Sequence, residues 1–297
     1  MSGILKAWLV GARPYTLSAA VVPVLVGTAL AHGRPGFAWG VFALTLLASL
    51  LVQVGANFTD EFSDHGAGAS AHKYLAPHKV IARGLLTERQ VKLGAFAAFG
   101  AAIAIGAALV ARAGWPLLWL CLASLAVAYF YSGGPAPLGN YALGEPLVFV
   151  TMGPVMVMGA VYAQVSAWRL DALFYSLPVA ALVTAILVAN NLRDGEEDRR
   201  NGRRTVVTLF GRRAMRTVYV ALLAASYAVP GAAVLGGRAS PWVLLPWLTL
   251  PLALRVTGWI FGAQDRDALH RALRGTSALH LTFGILLAAG LAAQGPA

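Results

Sequence analysis

Charge is what this chain has least of. Asp, Glu, Lys and Arg supply 12% of its 297 residues, and only twelve of those residues are acids. No long polar segment interrupts the sequence, which excludes a soluble domain or an interdomain linker and leaves residues 1–297 to be read as one domain. There is one cysteine, Cys121, inside an apolar run, so no intrachain disulfide is available and the thiol reads as a small packing residue. A Walker phosphate loop, a His-Glu-x-x-His motif, a Ser-His-Asp signature and a twelve-residue calcium loop are all absent. The six histidines keep no metal-ligand spacing; three of them (His65, His72, His78) fall between residues 59 and 92 and read as loop residues.

What is present is apolar length. Residues of hydrophobic type make up 58% of the chain, in runs long enough to cross ~30 Å of hydrocarbon. The expected fold class is all-α, a polytopic membrane protein with spans at 15–31, 38–58, 93–111, 115–131, 144–165, 171–191, 214–235, 241–261 and 277–294. The first resembles a signal peptide, with Lys6 and Arg13 ahead of an apolar stretch. It reads as a retained first helix because more membrane follows.

The net charge of +11 invites a nucleic-acid reading, but topology accounts for it. Of 23 Lys and Arg, only Arg34, Arg112, Arg169 and Arg238 fall on one side and Arg255 lies within a span, which leaves eighteen on the other. By the positive-inside rule that richer side is cytoplasmic and holds the N-terminus. Eleven of the twelve acids also face it, Asp171 being the exception. Acids obey no strong orientation rule, so their one-sidedness asks for a functional cause. The loops opposite are short (HGRPGF, ARAG, SAWRL, GGRASP), whereas the inner loops 59–92 and 192–213 are long and charged, and 132–143 is Gly- and Pro-rich. Chemistry is expected at the cytoplasmic face of the cell membrane.

Two stretches there match each other. NFTDEFSD at 57–64 and NLRDGEED at 191–198 both fit N-x-x-D-x-x-x-D, and each ends a helix running from outside to inside. On a helix, positions i, i+3 and i+7 share a face. Asn57, Asp60 and Asp64 therefore form one stripe of hard oxygen donors, and Asn191, Asp194 and Asp198 a second. Carboxylates at i and i+4 repel unless a cation lies between them, and Mg²⁺ favours one or two carboxylates completed by phosphate and water. Two facing stripes make a diphosphate clamp, with Lys73, Lys79, Arg83 and Arg193 near enough to neutralise what the metal does not. The rest of the second motif (Glu196, Glu197, Arg199, Arg200) reads as a solvated helix end with i,i+4 ion pairs.

These motifs, with ARPYTLSAAVVPVLVGTAL near the start, KVIARGLLT after the first motif, YFYSGGPAPLGNYALGE after the fourth helix and NNLRDGEEDRRNGRRTVVTLFG, resemble the UbiA-type intramembrane prenyltransferases. Within that family the likeness is to the 1,4-dihydroxy-2-naphthoate polyprenyltransferases of menaquinone synthesis, and it spans the whole chain. The resemblance implies nine helices enclosing a magnesium-diphosphate site, with Asp60, Glu61, Asp64, Asp194 and Asp198 holding metal and Lys79 and Arg193 serving catalysis. It implies transfer of a polyprenyl group from an allylic diphosphate to 1,4-dihydroxy-2-naphthoate, with loss of diphosphate and CO₂. Asn57, Asn190, Asn191, Lys73 and Arg83 become candidate substrate contacts. An allylic cation needs aromatic faces in a dry pocket, for which Tyr129, Phe130, Tyr131 and Tyr141 are candidates, an aromatic belt at the interface being the other reading of them, and Arg13 is a candidate contact for an anionic acceptor or a positive-inside anchor. The first motif departs from the family pattern: Asp60-Glu61 stands where Asn-Asp is usual, and Ser70 where an Asp is usual. Two other functions stay open: prenylation of 4-hydroxybenzoate, homogentisate, a porphyrin or a glycerol phosphate lipid on the same fold, and cation-coupled transport.

Overall fold

A computed structural model describes residues 3–66 and 78–295. Among them the chain is helical throughout, the one extended feature being an isolated bridge between Tyr141 and Arg204. In chain order the helices are α1 (Gly3–Gly11), α2 (Ser18–Ala31), α3 (Trp39–Gly66), α4 (Glu88–Ala113), α5 (Trp115–Phe130), α6 (Gly144–Val150), α7 (Met156–Val165), α8 (Leu170–Arg200), α9 (Val206–Leu235), α10 (Leu250–Gly262) and α11 (Arg266–Ala293). A π-turn at Thr151–Val155 joins α6 to α7 into one 22-residue rod, and a 3₁₀ stretch at Pro241–Thr249 leads into α10. Seven of these rods are long and apolar enough to cross a bilayer. The pair α1 and α2, bent by 55°, makes an eighth, and α5 is apolar but shorter.

Helix ends differ from the expected spans in one consistent way. The apolar runs mark where lipid stops, but the helices continue into the polar layer beyond it. α3 extends to Gly66, α8 to Arg200, and α11 begins at Arg266, eleven residues before its apolar run. At 1.5 Å per residue, the 31 residues of α8 reach ~46 Å, well past a ~30 Å hydrocarbon core. Asn, Asp, Glu and Arg are tolerated in a helix once water is at hand, so polarity alone does not end it. Capping does: Thr87 with Gln90 and Thr205 with Thr208 form reciprocal boxes, and the Asp265 carboxylate accepts from Ala268 N at 2.7 Å.

α8 is the central rod. In its apolar window 78% of residues are buried inside the protein, against 22% for α3. α2, α7, α9, α10 and α11 share its core, while α3, α4 and α5 form an outer layer with two smaller clusters. Close approach of rods depends on glycine at two points. A Cβ on Gly27 would lie 2.6 Å from Val157 O, and one on Gly284 would overlap the Val22 side chain, so α2 sits directly against both α7 and α11.

Candidate active site

The charged extensions of α3 and α8 face each other across a cavity of about 310 Å³, and both acidic stripes line it. Asn57, Asp60 and Asp64 come from α3; Asn190, Asn191, Arg193, Asp194 and Asp198 come from α8. The face assignment made from spacing therefore holds on both helices. Arg13, Lys79 and Tyr131 also line the cavity.

Each stripe is held by partners from elsewhere in the chain. The break between α1 and α2 puts Arg13 in the left-handed region (φ 52°), a conformation costing a non-glycine residue about 1–2 kcal/mol. The Arg13 carbonyl accepts from Thr16 N and Thr16 Oγ, both at 2.9 Å, and the guanidinium meets Asp60 at 2.6 Å. Asn57 Nδ2 donates to Ala12 O and Thr16 Oγ, tying α3 to the same bend. Ser132 Oγ, from the Gly- and Pro-rich loop, donates to the other oxygen of Asp60 at 3.1 Å. Asp64 accepts from Lys79 at 2.6 Å and from Arg203. On α8, Arg193 meets Asp194 at 2.5 Å and Asn190 at 2.9 Å, Arg266 of α11 meets Asp194 at 3.2 Å, and Asn191 donates to the buried Glu145 at 2.9 Å.

Five sequence-based candidates stand elsewhere. Glu61, 2% exposed, does not line the cavity; its Oε1 accepts from Ile81 N at 3.0 Å and anchors the segment after residue 78. One step round the helix from Asp60 turns it away from the stripe, and in this structure it acts as an anchor. Arg83 is exposed and off the cavity. Tyr129 packs on Phe96 and Phe130 outside it, and the exposed Phe130 and Tyr141 do not line it either. Lys73 and Ser70 lie outside the described residues.

Other residues enter the site unannounced. Arg203 reaches from the loop after α8 to Asp64 of α3, and its Nη1 lies 3.8 Å from Asp198, so it joins the two motifs. Burial works against the charge on Arg203, but Asp64, Asp60 and Asp198 outweigh it and hold its pKa above the usual. That loop is clipped to the Gly- and Pro-rich loop: Ala142 N donates to Arg204 O at 2.6 Å and Arg204 N to Asn140 O at 3.1 Å. Glu197, read as solvated, instead lines the cavity and pairs with Arg266. The signal for it was present: 190, 194 and 197 stand at i, i+4 and i+7, so Glu197 belongs to the stripe that includes Asp194. Tyr15 and His78 also line the cavity, the Tyr15 hydroxyl 3.3 Å from His78 Nδ1. Burial first, then Arg13, Lys79 and Arg193, hold the His78 pKa well below 6.5, so its imidazole is neutral.

Among the described residues no three His, Cys, Asp or Glu side chains converge as a closed metal cage. The donor set instead fits an ion of the Mg²⁺ type, which takes one or two carboxylates and leaves its other positions to phosphate and water. Charge argues the same way. Among the described residues the cavity wall carries five acids (Asp60, Asp64, Asp194, Glu197, Asp198) and five bases (Arg13, Lys79, Arg193, Arg203, Arg266). A balanced wall cannot by itself neutralise a diphosphate; divalent cations entering with it would.

Comparison with known proteins agrees with this geometry. The chain is 31% identical over 280 residues to a 1,4-dihydroxy-2-naphthoate octaprenyltransferase of Bacillus subtilis, covering 94% of this chain and 90% of that protein. It is 33% identical to the protein of the same description from Mycobacterium tuberculosis, covering 96% of each. Its fold matches the apo structure of a UbiA homolog from Aeropyrum pernix (TM-score 0.69, 19% identity, 93% and 96% covered). It also matches a UbiA homolog from Archaeoglobus fulgidus bound to GPP and Mg²⁺ (TM-score 0.62, 17% identity, 95% and 99% covered). The sequence profile of the UbiA prenyltransferase family matches residues 20–292, and the chain belongs to that family.

Proposed function

We propose that this protein is a Mg²⁺-dependent 1,4-dihydroxy-2-naphthoate polyprenyltransferase. It moves a polyprenyl group from an allylic diphosphate to the naphthoate, releases diphosphate and CO₂, and gives demethylmenaquinol, with its site at the cytoplasmic face of the plasma membrane. The observation that carries the reading is the pair of aspartate stripes facing one cavity whose wall charges balance. The descriptions of the bacterial relatives favour the naphthoate as acceptor.

Asp60 and Asp64 on one side, and Asp194 and Asp198 on the other, would hold the metal. Bound Mg²⁺ supplies positive charge to the departing diphosphate. Lys79 and Arg203, both poised on Asp64, and Arg193 and Arg266, both on Asp194, offer N–H donors to phosphate oxygens. The allylic C–O bond breaks with its electron pair on the diphosphate. Tyr131 presents an aromatic ring to the resulting cation. The clipped loops over the cavity exclude water that would otherwise capture it. Arg13 and the amides of Asn190 and Asn191 orient the acceptor. Its ring carbon then forms the new C–C bond, and loss of CO₂ returns an electron pair to the ring.

The test is purified protein with Mg²⁺, geranyl diphosphate and a panel of aromatic acceptors, the products read by mass. The expected product is a prenylated naphthoquinol lacking the carboxylate mass, formed only with divalent metal. Turnover of 4-hydroxybenzoate or homogentisate in place of the naphthoate would overturn the acceptor, and no consumption of the diphosphate with any acceptor would overturn the transfer.

A further inference from the structure

The two neighbouring amides at the start of the second motif are held by opposite charges. The Asn190 side-chain oxygen accepts from Arg193 Nη2 at 2.9 Å, and the Asn191 side-chain nitrogen donates to Glu145 Oε1 at 2.9 Å. A guanidinium can only donate and an ionised carboxylate can only accept, so each partner dictates which way its amide faces. Both amides line the cavity. Asn190 is thereby left with its NH₂ to give there, and Asn191 with its carbonyl oxygen. Glu145 stands behind the wall, 8% exposed and off the cavity lining. Among the described residues no Lys or Arg pairs with it. A buried acid without a base is costly to keep, which asks for a use beyond packing. The residue before it shows how it gets there. A Cβ on Gly144 would lie 2.9 Å from the Tyr131 hydroxyl, so glycine lets α6 start close enough to set Glu145 against α8.

We infer that Glu145 is a positioning residue, which locks the Asn191 carbonyl oxygen toward the cavity so that it accepts a hydrogen bond from a ring hydroxyl of the aromatic acceptor. The inference rests on the prenyl-transfer reading above and adds to it a residue that tunes the acceptor without touching it. Asn190, locked the other way, offers its NH₂ to the acceptor's carboxylate. One donor beside one acceptor suits a ring that carries a carboxylate next to a hydroxyl. The sense of the second bond also bears on reactivity. A carbonyl that accepts from the hydroxyl leaves the ring oxygen's lone pairs to feed the ring, whose carbon is the nucleophile. An NH₂ in its place would donate to that oxygen and hold those lone pairs back.

The experiment measures turnover of geranyl diphosphate and the naphthoate, with Mg²⁺, on the full-length protein in lipid. Glu145→Gln can donate as well as accept, so it frees Asn191 to turn. It should lower kcat/KM for the naphthoate about tenfold while KM for the diphosphate stays within about twofold. Asn191→Asp sets two acids against each other and should lose at least as much. The double variant Glu145→Gln with Asn191→Asp exchanges acid and amide, reverses the bond between them and still turns an oxygen to the cavity. It should recover to within about threefold of the unaltered protein. If Glu145→Gln alone folds poorly, Asn191→Asp and the exchange carry the comparison. The 1,4-dimethyl ether of the naphthoate, with no hydroxyl to give, should inhibit the unaltered protein and Glu145→Gln equally. An exchange no better than the worse single variant would overturn the inference, as would equal loss for both substrates or an unmoved kcat/KM in Glu145→Gln. Absence of turnover by the unaltered protein would instead overturn the transfer itself, and this inference with it, so the two failures are told apart.

Discussion

α3 and α8 bring the same eight-residue pattern to the same cavity, but they are held there differently. α8 is the buried axis of the molecule, and Asp194 has a partner on its own helix, Arg193, which is itself bonded to Asn190 a turn earlier, besides Arg266 of α11, 72 residues on. α3 lies in the outer layer, and its acids are oriented by segments that reach in from far along the chain. Arg13 is 47 residues from Asp60, Ser132 is 72 away, and Arg203 is 139 from Asp64. One half of the clamp is thus part of a core, and the other is assembled by bends and loops. A repeat in sequence fixes which face points inward, while the neighbours decide how firmly that face is held.

The strongest challenge to a shared clamp is to break each half in turn. Asp64→Asn and Asp198→Asn should each lower kcat about a hundredfold or more, the scale seen when one charge-stabilising group is removed from a site. Both proteins should elute and melt like the unaltered chain. A large loss from one substitution alone would mean that a single helix carries the diphosphate.

Arg203 comes next, because it belongs to neither helix and touches both motifs. Arg203→Met should lower kcat/KM for the diphosphate about tenfold, as expected for one charge-assisted hydrogen bond of about 1.5–3 kcal/mol. Arg203→Lys should recover part of it. Equal activity of Met, Lys and Arg at this position would reduce Arg203 to a loop anchor.

Neighbours on α8 give a finer comparison. Glu197 lines the cavity with its side chain 16% exposed, whereas Glu196 is 73% exposed beside Arg212. Glu197→Gln should cost activity about fivefold more than Glu196→Gln, through loss of its charge against Arg266. Equal kinetics for the two would return Glu197 to the solvated helix end.

How much of this was legible in the sequence follows from what kind of information each feature needs. The helical class, the two stripes and their facing arrangement depend on hydropathy and on 3.6-residue periodicity, both local. Asp60, Asp64, Asp194 and Asp198 were found that way. Arg203 and Arg266 were missed because nothing near them in sequence shows that they reach across to a motif; only packing brings them in. Glu61 came from the resemblance and not from the helical angle, and it lies off the cavity. The span boundaries erred at the charged ends because hydropathy reports the lipid edge and the backbone hydrogen bonds run on beyond it. The aromatic contacts were half right: Tyr131 lines the cavity while Tyr129, two residues earlier, turns to Phe96.

The peripheral half should also be the one that a buried anchor governs. Glu61 holds Ile81 N and lies 3.7 Å from Lys79 and 3.9 Å from Arg13. Glu61→Leu leaves that N–H without its acceptor and should lower stability by about 1–3 kcal/mol. Glu61→Gln keeps an acceptor oxygen and should stay near normal in melting. In both, the Mg²⁺ concentration for half-maximal activity should match the unaltered protein; a marked rise would restore Glu61 to the metal.

The smallest effect expected concerns pH, and it again belongs to the α3 side. His78 adjoins Lys79 and is buried against Tyr15, with Arg13, Lys79 and Arg193 disfavouring its charge and Asp60 alone favouring it. Its folded pKa is below the unfolded value of 6.5, so the unfolded chain takes up a proton that the folded one refuses. Stability from this group is therefore intact above pH ~6.5 and is lost as pH falls from there toward the folded pKa. Between pH 7 and 6 the unaltered protein should therefore lose part of that stability. His78→Gln cannot titrate, so its melting temperature should fall less than that of the unaltered protein over that interval. Parallel curves would show that His78 takes its proton in the folded state as readily as in the unfolded chain, and that the bases around it leave room for a fourth positive charge.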